Sequence, residues 1–222
     1  IETIELDDAC FGHGWPWYTQ ASFAPTEGLQ TLMQWCFCPA CRQRAIDMGV
    51  DASAAMKRIR DRVDLAMTTA VDADESIEDM IGGDADLRGY QSLREESVTS
   101  LVKAIRSRVK NRLVVHVRGP RLLTGVNVSA MHEHCDGVVC RFENGKAIFS
   151  SEPSCKAIGV ERWEAAQICY PPHTPNSAAL VAAVHDCVRG GCQRVGCANY
   201  GIVTHDNLEW VRQAIRYARR ES

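Results

Sequence analysis

The chain holds no apolar run approaching the roughly 18 residues that a membrane-spanning helix needs, no cluster of basic residues, no internal repeat and no low-complexity tract. The first absence argues against a spanning segment. The formal charge of −3, from 25 basic and 28 acidic residues, leaves no electrostatic footprint for nucleic acid or an anionic membrane. Aromatic residues make up only 7% of the sequence, yet they gather early, at Phe11, Trp15, Trp17, Tyr18 and Phe23. What remains is an ordinary globular composition, 45% hydrophobic and 24% charged over 222 residues, long enough for one sizeable core.

Cysteine is plentiful but not arranged as a disulfide framework. There are 11, an odd number, and most sit inside apolar strand and helix patterns. A reducing, cytoplasmic setting is the expectation. Ile1 to Leu6 already reads as a strand in progress, which suggests a segment of a longer protein.

Thr3 to Leu6 alternates polar and apolar residues and delivers Asp7 and Asp8 to a loop. A long decorated segment follows to Phe37, with Leu29, Leu32 and Met33 marking a short helix. Pro39 suits the first turn of a helix that runs to Met48 and stops at Gly49, because its missing N–H costs nothing there. Asp51 is the N-cap of the next helix, whose Ile59, Val63, Ala66, Met67 and Ala70 form one stripe. Acidic residues 72–86 read as a surface connection with a short helix, and Leu93, Val98, Leu101, Val102, Ile105 and Val109 mark another amphipathic helix. That helix feeds into the buried-strand run Leu113 to Val117.

Later elements are shorter. Gly137 to Cys140 reads as a strand, Trp163 to Ala166 as a helical turn, Ile168 to Tyr170 and Arg194 to Asn199 as strands. Asn176 or Ser177 caps a helix ended by Gly190-Gly191, and Thr204 caps the last, with Arg219 and Arg220 at its C-terminal end. Alternation of short strands and helices indicates an α/β class. About five strands against the eight of a (β/α)₈ barrel suggest the C-terminal portion of a TIM-barrel-like domain, residues 1–222 forming one partial domain. Residues 9–50 would be a Cys/Trp-rich loop and helix opening a long helical insertion after the first strand.

Three segments carry a resemblance: Ile4-Glu5-Leu6-Asp7-Asp8 with Gly12-His13-Gly14, then Trp35-Cys36-Phe37-Cys38-Pro39-Ala40-Cys41, and finally Gly196 to Gly201 before Leu208-Glu209-Trp210. On these the chain resembles a group of bacterial barrel proteins that look like glycoside hydrolases. The resemblance implies a (β/α)₈ fold and, by analogy, a site for carbohydrate at the strand ends.

Glycosidases need one carboxyl to protonate the leaving oxygen and a second to activate water or attack the sugar. Asp7, Asp8 and Glu5 are the candidates: if Leu6 faces the helices, Glu5 and Asp7 point inward while Asp8 starts the loop, and the opposite parity is equally open. The same acids also suit a solvated loop. No second carboxylate stands out downstream, where strand ends offer His116, Arg118, Tyr170, Asn199 and Tyr200 for sugar hydroxyls. Trp15 and Trp17 could stack on a sugar ring or pack their own loop.

Cys38-x2-Cys41 has metal-ligand spacing, and Cys10-x2-His13 supplies a second pair, a Cys₃His set for a structural zinc with Cys36 as an alternative ligand. Such a set is closed, which argues against a zinc-dependent hydrolase. A dithiol at a helix start also suits redox work, although no thioredoxin-like strand–helix–strand pattern surrounds it. His132 and His134 beside Cys135 fit a polar rim better than a metal site. The expectation is therefore a glycoside hydrolase using carboxylate acid–base chemistry, the rival being a carbohydrate-binding protein without catalysis.

Overall fold

The computed structural model describes residues 2–7, 9–11, 27–69, 76–117, 119, 121–143, 146–147, 161–166, 174–189, 192–197 and 203–221. The chain divides into two compact units. One joins Ile1–Asp7, Arg106–Val117 and Val128–Ser222; the other joins Asp8–Ile105 and Arg118–Asn127.

The first unit is built on a parallel sheet. Its strands are β1 (Thr3–Leu6), β2 (Arg112–Val117), β3 (Gly137–Glu143), β4 (Lys146–Ala147), β5 (Glu161–Ala166) and β6 (Arg194–Cys197). The order is β1-β2-β3-β5-β6, every neighbouring pair parallel, while β4 folds back antiparallel on the end of β3. Leu113, Val114, Val115, Val117, Val138 and Val139 are buried, as expected of central strands covered on both faces. Asp136 fixes the start of β2: its Oδ2 accepts the Leu113 N–H at 2.8 Å and pairs with Arg106, whose Nη1 also donates to the Asn111 carbonyl at 2.9 Å. The helices Ser177–Arg189 and His205–Glu221 pack through Leu180, Val184 and Ala214, with Val195 and Cys197 of β6 beside them.

This sheet corrects the barrel expectation. Each strand is added at the same growing edge, so β1 and β6 end at opposite sides and, among the described residues, do not pair. A (β/α)₈ barrel closes only when eight tilted strands bring first against last, and no closure occurs among the described residues. A TIM-barrel-like fold, whole or C-terminal portion, is therefore not the fold of this chain. Residues Trp163–Ala166, read from sequence as a helical turn, instead belong to β5, paired Val139↔Trp163 through Arg141↔Ala165. The predicted strand 168–170 lies outside the described residues.

The second unit is helical, and its helix boundaries follow from local chemistry. Asp51 accepts the N–H groups of Ser53 and Ala54, both at 2.9 Å, and so starts the helix Ala52–Thr68. Asp84 does the same for Asp86 and Leu87 at the head of the long helix Ala85–Arg106; each cap is worth about 1 kcal/mol. Pro39 opens the helix Pro39–Asp47, and Gly49, at φ 68°, follows its end. Leu32, Trp35, Ala55, Ile59, Met80, Leu87, Tyr90 and Leu93 form the core, and full burial of each large side chain contributes about 1.5–3 kcal/mol.

Two buried charges on the long helix hold the segment Arg121–Asn127. Arg94 is fully buried; its Nη1 donates to the Leu122 carbonyl at 2.7 Å and to Gln91 at 2.9 Å, and its Nη2 donates to the Leu123 carbonyl. The guanidinium also lies over the rings of Phe11 and Trp35, at 5.0 and 4.8 Å from their centroids. Glu95 accepts both Arg121 guanidinium donors at 2.7 and 2.8 Å, Asn127 at 2.7 Å and Gln91 at 2.9 Å. Gly125 fits only as glycine: at φ 73° a Cβ would lie 3.1 Å from Phe11 and 3.2 Å from the Arg94 carbonyl oxygen. Among the described residues no helix is long and apolar enough to cross a membrane.

Candidate functional site

Two groups of reactive side chains stand out, one in each unit. In the helical unit, Cys36, Cys38 and Cys41 bring their sulfurs within 4.8 Å of one another and can hold a metal ion. The Cys38 and Cys41 sulfurs are 3.5 Å apart, close to the spacing of about 3.8 Å that tetrahedral Zn–S bonds of 2.3 Å produce.

The segment carrying them is held from several sides. Trp35 donates its indole N–H to the Leu122 carbonyl at 3.1 Å, and the Tyr90 hydroxyl donates to the Cys36 carbonyl. Phe37 stacks on Tyr90 with centroids 4.4 Å apart. Arg42 reaches back from the helix to the Phe37 carbonyl at 2.8 Å. Three thiols thus project from a backbone whose carbonyls and aromatic rings are anchored to the core helix.

The two paired thiols have opposite acidities. The backbone N–H of Cys41, helped by the thiols of Cys36 and Cys41, lowers exposed Cys38 to about 7. Burial, reinforced by its hydrogen bonds with Cys38 and Cys36, raises Cys41 to about 12. A thiolate therefore forms readily at Cys38, whereas one at Cys41 needs a cation to offset its burial. That is the demand that a metal ion meets.

Of the ligands expected from sequence, Cys38 and Cys41 are in this group together with Cys36. Cys10 is not one of its members, and His13 lies outside the described residues. Cys41 also lines a cavity of about 420 Å³, with Phe11, Arg44, Leu93, Ser97 and Leu101 among its other walls.

In the sheet unit, parallel pairing of β1 with β2 sets Glu5 opposite Val114, so that Asp7 falls beside His116 just past the end of β1. His116 Nε2 lies 3.0 Å from Glu5 Oε2, and Nδ1 lies 3.7 Å from Asp7 Oδ1. Glu5 and Asp7 therefore share the face of His116, as period-two alternation requires, which settles the parity that the sequence left open. The imidazole is 17% exposed and the carboxylates about half exposed, at 51% and 53%. Carboxyl ends of parallel strands are where α/β sheets place ligands. The ring thus has one carboxylate at hydrogen-bond distance from Nε2 and a second near Nδ1.

Sequence reasoning named all three residues but not their association, since 111 residues separate Glu5 from His116. Asp8, Trp15, Trp17, Arg118, Tyr170, Asn199 and Tyr200 lie outside the described residues. His132 turns its Nδ1 to the Ser129 carbonyl at 2.7 Å, within a single 3₁₀ turn, His132–His134. No protein-family model, curated protein or solved structure matches the chain.

Proposed function

We propose that the chain is a hydrolase acting on hydroxyl-rich substrates of the carbohydrate class, by general acid–base catalysis at Glu5, His116 and Asp7. The observation that carries this reading is the imidazole of His116 set between two carboxylates at the ends of β1 and β2. Glu5 accepts the Nε2 proton, which fixes the tautomer and leaves Nδ1 as the base. Nδ1 takes a proton from the attacking water and returns it to the leaving oxygen, while the Asp7 charge stabilises the imidazolium between those steps. Both carboxylates are about half exposed, which supports a polar ligand over an apolar one.

Hydrolysis of an oligosaccharide panel, with His116→Gln, Glu5→Gln and Asp7→Asn variants of retained fold, tests this reading. General acid–base groups contribute about 10²–10⁴-fold, and a loss of that size is expected for His116→Gln. Saturable sugar binding without turnover would instead identify a carbohydrate-binding protein. Activity indifferent to all three changes would place the chemistry elsewhere.

The metal held by the thiol group is, on this proposal, a structural zinc. Three thiolates favour it, and His13, the fourth ligand that the sequence offers, would complete the tetrahedral set. Zinc bound there would tie the segment from Cys36 to the first turn of the helix Pro39–Asp47. Zinc content of the purified chain, and its loss in Cys38→Ser, is the direct measurement.

A further inference from the structure

The thiol group has a reactivity that a structural zinc does not use. Cys38 is exposed at the head of a helix and lies 3.5 Å in sulfur–sulfur distance from Cys41. A disulfide needs about 2.05 Å, so closing the pair takes a movement of about 1.5 Å. Pro39 holds the backbone between the two in the first helical turn, Cys41 borders the cavity of about 420 Å³, and Cys38 is open to solvent.

We propose that Cys38 and Cys41 form a reversible dithiol–disulfide couple, oxidised by low-molecular-weight disulfides, and that its closure discharges the metal from the thiol group. In the first step the Cys38 thiolate attacks one sulfur of a disulfide RS–SR, forming a mixed disulfide and expelling RS⁻. Cys41 then loses its proton to solvent and attacks the Cys38 sulfur, forming the Cys38–Cys41 bond and expelling the second RS⁻. The pair gives up two electrons, RS–SR takes them, and both RS⁻ ions are protonated to thiols. Two sulfurs joined to each other no longer serve as thiolate ligands, so Cys36 alone of the three remains for the ion.

Discharge of the ion rests on the metal reading, whereas the exchange step rests on the thiol geometry alone. The test uses the full chain, zinc-loaded and metal-free, equilibrated with reduced and oxidised glutathione at graded ratios. Thiols are counted by alkylation, the bond is mapped by peptide mass, and released zinc is followed with a chromogenic chelator. The expected result is loss of two of the 11 thiols, mapped to Cys38 and Cys41, with one zinc released per chain and both changes reversed by dithiothreitol. The Cys41→Ser variant, its fold checked by circular dichroism, is expected to stop at one glutathione on Cys38.

A disulfide mapped elsewhere, or a first adduct on another cysteine, overturns the proposal. So does retention of all thiols across the whole range in the metal-free chain. If the reduced chain takes up no zinc, the metal reading fails by itself, and the mapped bond in the metal-free chain still decides the couple.

Discussion

The two units assemble their chemistry in opposite ways. In the helical unit the reactive atoms come from one short stretch, Cys36 to Cys41, and long-range packing serves only to hold that stretch still. In the sheet unit no short stretch contains the group; strand register delivers Glu5, Asp7 and His116 to one another across 111 residues. The first arrangement is protected by burial around it, with Arg94 and Tyr90 fully buried. The second stands half exposed on the ends of strands, and its carboxylates rely on proximity to a ring more than on enclosure.

The clamp under the thiol segment holds the helical unit most strongly. Arg94→Ala leaves the Leu122 and Leu123 carbonyls without their guanidinium donor, deletes the cation between Phe11 and Trp35, and opens a cavity. Removing one partner from a buried charged network costs about 3–5 kcal/mol. Urea denaturation should show a loss in that range. A loss under about 1 kcal/mol would mean that the segment is held by other means.

The Glu95 network gives a smaller effect with a defined pH signature. Burial by itself would raise this carboxyl, but hydrogen bonds from Arg121, Gln91 and Asn127, with the Arg121 charge, outweigh it and hold the pKa below the ordinary carboxylate range. Because the folded value is the lower one, the contribution is fully present above the unfolded-state pKa of about 4.3. It is lost as pH falls through the folded value. Glu95→Gln should cost about 2 kcal/mol at neutral pH and should flatten the acid limb of the stability profile. An unchanged acid limb in the variant would show that Glu95 does not carry that dependence.

How much of this was legible in the sequence follows the same division. Asp51, Pro39 and Gly49 announced helix ends because capping is local chemistry, and Cys38-x2-Cys41 announced a metal-ligand spacing for the same reason. The strand Leu113–Val117 stood out as an apolar run, whereas Glu161–Ala166 did not, because its residues carry charge and lack a β-branched pattern. Strand number says nothing about closure, so an open sheet was read as part of a barrel. The association of His116 with Glu5 depends on register, and the role of Arg94 on two carbonyls 28 and 29 residues away, neither of which a local pattern encodes.

Asp136 repeats in the sheet unit, with a smaller effect, the device that Glu95 provides in the helical one. It too accepts from an arginine and holds a second donor, the Leu113 N–H, and it too has a lowered pKa. Burial opposes that shift, and the backbone donor and Arg106 overcome it. Its side chain, however, is 42% exposed against 11% for Glu95. Water stands ready to replace its partners, so the same loss of a carboxylate should matter less. Asp136→Ala is expected to cost about 1 kcal/mol or less, roughly half the effect of Glu95→Gln, by the same urea measurement. Equal costs at the two positions would mean that register at the start of β2, not solvent exposure, sets the worth of this carboxylate.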